Sequence, residues 1–211
     1  MKHLPLVIFN LFIINANMQA QTNSIAGVYN LEGVREMASG FQLNTDSTFE
    51  FYFSYGALDR YGSGKWNFIN NKIILNSKPF PGNDFKLISS DKTNNDFVTI
   101  TIQEKNTMLL PYVYAFGNEL QEGDYPVKAD SHGMIKLLET NLDTLHLLFE
   151  FTPERLSTFA IDSKMKNNFT FVFEPWLVEV FFTNFELTVA ENKLEGKHPL
   201  LEKDNYSFVK E

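Results

Sequence analysis

Apolar and polar side chains alternate with a period of two along most of this chain, and that period predicts β-strands rather than helices. In "TFEFYFSY", Phe49, Phe51, Phe53 and Tyr55 point one way, while Thr48, Glu50, Tyr52 and Ser54 point the other. Ile25, Gly27, Tyr29 and Leu31 share one face of an earlier strand. Phe41 and Leu43 begin a second, and Trp66 and Phe68 face inward further on. Turn signals fall between these runs. Asp46-Ser47 is one; Asn70-Asn71 offers two residues tolerant of positive φ, which suits a two-residue hairpin, and Ile73 and Leu75 pack on the returning strand. The pattern predicts an up-and-down antiparallel meander over residues 21–80. Within it, "GALDRYGS" (56–63) is longer than a minimal turn, which places Asp59-Arg60 at the tip of a loop.

"KPFPGND" (78–84) concentrates proline and glycine and marks a boundary. Alternation resumes in "FVTITI" (97–102) and in "LLPYVYAF" (109–116), where Pro111 suits only a strand start or an edge. Residues 153–166 fit a strand or a short helix equally. Trp176–Phe182 is apolar on both faces except at Glu179, which predicts a central, doubly covered strand. "NYSFVK" supplies a last strand. Short strands at this spacing predict a β-sandwich over 81–211, free to share one core with the meander. The fold class is all-β.

Composition adds the compartment. Residues 1–20 run from basic (Lys2, His3) through an apolar core to small residues ending at Ala20, the order of a secretory signal peptide cleaved near that residue. The expectation is therefore an exported protein, periplasmic or extracellular, with no transmembrane segment in the mature chain. There is no cysteine, so no disulfide supports the fold, and 21 phenylalanines offer large buried area instead. The sequons at Asn168 and Asn205 read as chance. The formal net charge is −8. Such a balance excludes nucleic acid as the expected partner, because phosphate binding needs clustered lysine and arginine.

Two local resemblances follow from particular residues. Gly27-x-Tyr29, Asp46-x-Thr48-Phe49-x-Phe51 and Gly64-x-Trp66 resemble the meander of small bacterial lipocalin-like modules, with Ser47 in place of the usual turn glycine. That resemblance covers about 50 residues, too few for the roughly eight strands of a closed barrel. Farther on, "VTITIQEKNTMLLPYVYAF" resembles the first hairpin of a transthyretin-like or carboxypeptidase-regulatory-like sandwich, with Asn106-Thr107 at its turn. Asp130-x-x-Gly133 resembles the start of a later strand in the same family. In such families the sandwich is an accessory module without catalytic residues.

Candidate chemistry is sparse. His132, His146 and His198 are scattered, so no metal site and no cofactor are expected, and no catalytic residue is assigned. No Gly-x-Ser-x-Gly elbow occurs. Glu150, Glu174 and Glu179, on strands rich in aromatics, are the carboxylates a glycoside hydrolase would use. Exposed aromatics on a sheet bind sugars, lipids or partners through flat, rigid area. By that logic Tyr52, Tyr55, Asp59, Arg60 and Tyr61 form the candidate binding site. The expected function is a non-catalytic ligand-binding or interaction module of the bacterial envelope, its partner an envelope protein, a glycan or a small apolar ligand. The alternatives are a carboxylate-dependent carbohydrate-active hydrolase and a lipocalin-like carrier of a small apolar ligand.

Overall fold

The computed structural model describes residues 24–56 and 58–211, so the expected signal peptide and cleavage point lie outside the described residues. The chain forms two compact units. One joins the residues up to Phe80 with Glu179–Glu211, and the other is Pro81–Val178.

The first unit begins as the meander. Strands β1 (Gly27–Leu31), β2 (Met37–Leu43), β3 (Thr48–Tyr55), β4 (Leu58–Ile69) and β5 (Lys72–Asn76) pair antiparallel in order. The turn chemistry explains the register. Ser47 has φ 66°, and Asp46 Oδ1 accepts from the Thr48 backbone N–H (3.0 Å) and hydroxyl (2.6 Å). These hydrogen bonds let a serine occupy a glycine position, and they hold the Asp46 carboxyl below its ordinary range. Asn70 and Asn71, at φ 51° and 63°, make the expected two-residue turn. The β3–β4 turn departs from expectation. Tyr55 lies opposite Leu58, so the reversal is short, and Asp59-Arg60 belongs to the ladder rather than to a loop tip. Gly56 at φ 60° makes so tight a reversal accessible.

The second unit contains β6 (Phe85–Asp91), β7 (Val98–Gln103), β8 (Val113–Gly117), β9 (Val127–Lys128), β10 (Met134–Leu137), β11 (Thr144–Phe149), β12 (Leu156–Ala160) and β13 (Asn168–Phe173). They form two four-stranded sheets, ordered β10-β7-β13-β6 and β12-β11-β8-β9. Ile100, Ile102 and Phe171 from one sheet, and Val113, Leu145 and Leu147 from the other, belong to one buried cluster. This is a sandwich core. Residues 107–112 are a 3-10 turn rather than strand, and β7 and β8 fall in different sheets, so they do not make the expected hairpin. The Asn106 side chain accepts from the Met108 N–H and caps that turn instead of reversing a ladder. Asp130 Oδ1 accepts from the N–H groups of His132 and Met134, and Gly133 takes φ 77°, as the Asp-x-x-Gly pattern requires.

The chain then returns to the first unit. Strands β14 (Phe185–Ala190), β15 (Lys193–His198) and β16 (Leu201–Lys210) continue the meander: β14 pairs with β5 and β16 pairs with β1. The result is a closed eight-stranded antiparallel barrel, β1-β2-β3-β4-β5-β14-β15-β16. This corrects the expected division at residue 81, because the last three strands belong to the barrel and the sandwich is an insertion between β5 and β14. It also corrects Trp176–Phe182, which is a connecting segment and not a central strand. Val180 and Phe182 are buried for another reason. The Phe182 ring lies among those of Phe49, Phe51 and Phe185 (centroids 5.1–5.4 Å) and of Phe41 (6.1 Å). The Val180 N–H donates to the Tyr61 carbonyl (2.7 Å), which satisfies the part of β4 that extends beyond β5. Gly62 makes this approach possible: a Cβ there would meet the Phe182 ring and the Val180 carbonyl, each at 2.7 Å.

Candidate functional site

The pleat of β3 and β4 divides the five sequence-predicted site residues between two faces. Tyr52 and Tyr61 are opposite one another in register on the outer face of the barrel, 39% and 50% exposed. Asp59 is exposed on the same face of β4. Tyr52 leans across β2, because Gly40 opposite it has no side chain; a Cβ on Gly40 would stand 2.9 Å from the tyrosine ring. Its hydroxyl reaches Asn30 Oδ1 on β1 (2.6 Å), and Asn30 Nδ2 donates to Glu211 Oε1 (2.7 Å). The Tyr52 ring is thus fixed in place, and burial raises its hydroxyl pKa, with the Glu211 charge adding to that. Tyr61 stands beside it, half exposed.

Arg60 and Tyr55 belong elsewhere. Arg60 shares its face with Gly62 and Trp66 and is 3% exposed inside the barrel. A guanidinium that deep is stable only when it is partnered, which makes Arg60 a structural cation of the interior and not the tip of a contact loop. Tyr55 follows Phe49, Phe51 and Phe53 on the inward row but sits at the strand end, where it is exposed. The structure therefore brings together Tyr52, Tyr61 and Asp59 and separates Arg60 from them. Parity with Trp66, read as inward from the sequence, carries this signal: positions 60, 62, 64 and 66 face one way.

A polar group that sequence reasoning passed over lies in the same interior. His198 on β15 is 4% exposed and Ser39 on β2 is 2% exposed, with His198 Nε2 2.9 Å from Ser39 Oγ. Rings of Phe51, Phe53, Tyr206 and Phe208 surround the imidazole at 5.6–5.9 Å between centroids. The Leu200 N–H donates to His198 Nδ1 (3.0 Å), so that nitrogen carries no proton. The neutral ring then holds its proton on Nε2 and gives it to Ser39 Oγ, and the serine proton goes to the Tyr52 carbonyl (2.8 Å). A histidine that activates a serine must offer an unprotonated nitrogen to the hydroxyl. Here the backbone at Leu200 enforces the opposite tautomer. Burial pushes the His198 pKa down to about 4, so the pair is a neutral structural bridge.

The three candidate carboxylates occupy ordinary positions. Glu150 accepts from the Tyr114 hydroxyl (2.7 Å) and is 3.7 Å from Lys128 Nζ; Glu179 pairs with Lys78 Nζ at 3.0 Å; Glu174 is half-buried at the end of β13. His146 stacks on Phe116 and meets the Thr158 hydroxyl, and His132 lies in the Asp130 turn. Among the described residues no three His, Asp or Glu side chains converge as metal ligands would, and no helix is long and apolar enough to cross a membrane.

No family model and no curated protein matches this chain. Among solved structures, the Helicobacter pylori β clamp bound to a DNA ligase peptide aligns with 95% of the chain at 11% identity and a TM-score of 0.14. The alignment spans 63% of that protein's own chain, and a likeness this small carries no argument.

Proposed function

We propose that this protein is an exported, non-catalytic binding module of the bacterial envelope that contacts a glycan through the outer face of its barrel. The observation that carries this reading is the Tyr52–Tyr61 pair, two neighbouring rings held at the surface of a rigid sheet. Such rings present flat area to the C–H face of a sugar at small entropic cost. Asp59 and Asn30 stand on the same face to accept or donate hydrogen bonds. Export rests on the basic-apolar-small order of residues 1–20.

Two features weigh the reading away from its alternatives. A carrier of an apolar ligand needs interior volume, whereas Phe41, Phe51, Phe182 and Phe208 occupy this interior in mutual contact. A carboxylate-dependent hydrolase needs two carboxyl groups facing one another across a cleft, whereas Glu150 is engaged by Tyr114 and Lys128 and Glu179 by Lys78. The test is a glycan-array or calorimetric screen with the full chain and with Tyr61→Ala. Tyr61 is half exposed, so the variant should fold normally and lose about tenfold in affinity, which is about 1.4 kcal/mol. A glycan bound equally well by the variant would overturn the assignment of this surface.

A further inference from the structure

A separate cleft lies at one end of the sandwich, between the β6–β7, β10–β11 and β12–β13 connections. It holds about 310 Å³ and is lined by Lys92, Asn95, Asp96, Phe97, Thr140 and Lys164, with Asn167 in its wall. Buried polar side chains build it. Asn167, 3% exposed, accepts from the Thr93 N–H (2.7 Å) and hydroxyl (3.1 Å) and donates to the Asn95 carbonyl (2.8 Å), fixing the β6–β7 loop. Ser163, also 3% exposed, accepts from the Leu142 N–H (2.8 Å) and donates to the Thr140 carbonyl (2.9 Å), fixing the β10–β11 loop. Lys92 Nζ ties the β6–β7 loop to the β12–β13 connection by donating to the Ser163 carbonyl (3.2 Å). The cleft is thus preorganised before any ligand arrives.

Its charge runs against the rest of the protein. The chain carries a formal −8, yet two ammonium groups and one carboxylate face this space. Lys136 Nζ lies 5.4 Å from the Phe97 ring centroid and adds a third cation beside it. Lys92 spends one of its donors on Ser163, and an ammonium has three. The Phe97 ring supplies an apolar wall, and Asp96, Asn95 and Thr140 supply acceptors and donors for hydroxyl groups. We infer that this cleft binds a sugar acid, a hydroxylated ring of monosaccharide size bearing a carboxylate. The ring lies against Phe97, its hydroxyls meet Asp96 and Asn95, and its carboxylate pairs with Lys92 and Lys164. The volume stands at the lower end of small-molecule sites, which suits a single sugar. This site is on a different unit from the tyrosine pair, so each stands or falls alone.

The experiment is a heteronuclear NMR titration of the full chain with glucuronate, glucose and inorganic phosphate in parallel. Glucuronate is expected to shift the amides of Lys92, Asn95, Phe97 and Thr140, to bind at least about tenfold more tightly than glucose, as a charge-assisted hydrogen bond allows, and to weaken with added salt. Lys164→Gln, on an exposed residue, should remove about tenfold of that affinity with an otherwise unchanged spectrum, and Tyr61→Ala should not alter it. Equal binding of glucuronate and glucose overturns the role of the lysines. Phosphate competing as well as glucuronate overturns the sugar, and shifts confined to other residues overturn the site.

Discussion

The barrel and the sandwich answer the same problem, a sheet protein without disulfides, with different side chains. Rings fill the barrel: Phe41, Phe49, Phe51, Phe53, Trp66, Phe182 and Phe208 are all buried there. Branched aliphatics dominate the sandwich, through Val98, Ile100, Ile102, Val113, Leu145 and Leu147. A small closed barrel has a wide, tapering interior that long rings span, whereas two facing sheets about 10 Å apart interdigitate well with shorter side chains. Each unit also buries polar groups, and the kinds differ. The barrel holds a neutral imidazole beside a serine and, apart from these, the Arg60 guanidinium. The sandwich holds a charged pair, Asp84 and Arg155, at 2.8 Å, with side chains 2% and 9% exposed. Around it, the Asp84 N–H donates to Ser157 Oγ (2.8 Å), and Arg155 also donates to the Leu177 carbonyl.

Trp66 lies in the barrel and Trp176 in the sandwich, so single-tryptophan variants (Trp66→Phe, Trp176→Phe) let each unit be followed by its own fluorescence. The largest expected effect is Phe182→Ala, which should cost the barrel about 3–5 kcal/mol as a buried ring becomes a cavity. Denaturation followed at Trp66 reads it. A loss seen equally at Trp176 would show that the two units unfold together. Arg155→Met should cost the sandwich about 3 kcal/mol by leaving Asp84 buried and unpaired, and the double variant Arg155→Met/Asp84→Leu should recover most of it. Failure of the double variant to recover would assign the cost to packing.

Acid should separate the units by sign. His198 is neutral when folded, with its pKa lowered from 6.5 to about 4, so the unfolded chain binds more protons between those values. The contribution to the barrel is complete above about pH 6.5, is lost as pH falls toward 4, and amounts to roughly 3 kcal/mol. Asp84 has the opposite shift: burial raises its pKa and Arg155 only partly offsets this. From that group the sandwich gains stability as pH falls through the raised value toward the ordinary carboxylate range. Denaturation midpoints against pH, with His198→Gln to flatten the barrel's slope, check both signs; parallel slopes at the two tryptophans would contradict the assignment. The smallest expected effect is Ser47→Gly, which should stabilise the β2–β3 turn by under about 1 kcal/mol, since glycine carries no Cβ penalty at positive φ. A chemical denaturation curve measures it.

Local structure was legible in the residues wherever a rule of short range decides it. Alternation placed Phe49, Phe51 and Phe53 inward, and Asn70-Asn71 made its turn. Strand partners were not legible. Nothing in "FELTVA" says that it pairs with Lys72–Leu75 across an inserted unit, because alternation records a face and not a neighbour. Phe182 misled for a related reason: its segment is apolar because the ring enters the barrel, not because the backbone is a strand. At the candidate site, Tyr52 and Tyr61 were singled out by residue type and, for Tyr52, by its place on the outward row, and both are exposed there. Arg60 was misplaced because the loop was judged too long, although the inward row from Trp66 back to position 60 already contained the answer. His198 is a lone histidine in "GKHPLL", and only the fold shows its partner Ser39, 159 residues away.

The insertion of the sandwich between β5 and β14 has a consequence for the order of folding. During synthesis β1–β5 emerge first as an open half-barrel, with a row of phenylalanines uncovered and the strand edges unpaired, and such edges invite association with other chains. Their partners arrive only after roughly a hundred more residues, and closing a loop that long costs about 2 kcal/mol more than closing one of ten. A folded sandwich removes most of that cost. The Glu174 N–H donates to the Asp84 carbonyl (2.9 Å), the Trp176 indole donates to the Asn83 carbonyl (2.9 Å), and Arg155 joins Asp84 to the Leu177 carbonyl. These bonds hold the first and last residues of the insert side by side, so a chain about a hundred residues long closes as if it were a short turn. The sandwich then acts as an internal staple that eases closure of the barrel once it has set, and a lesion at Arg155 should slow the barrel without touching it.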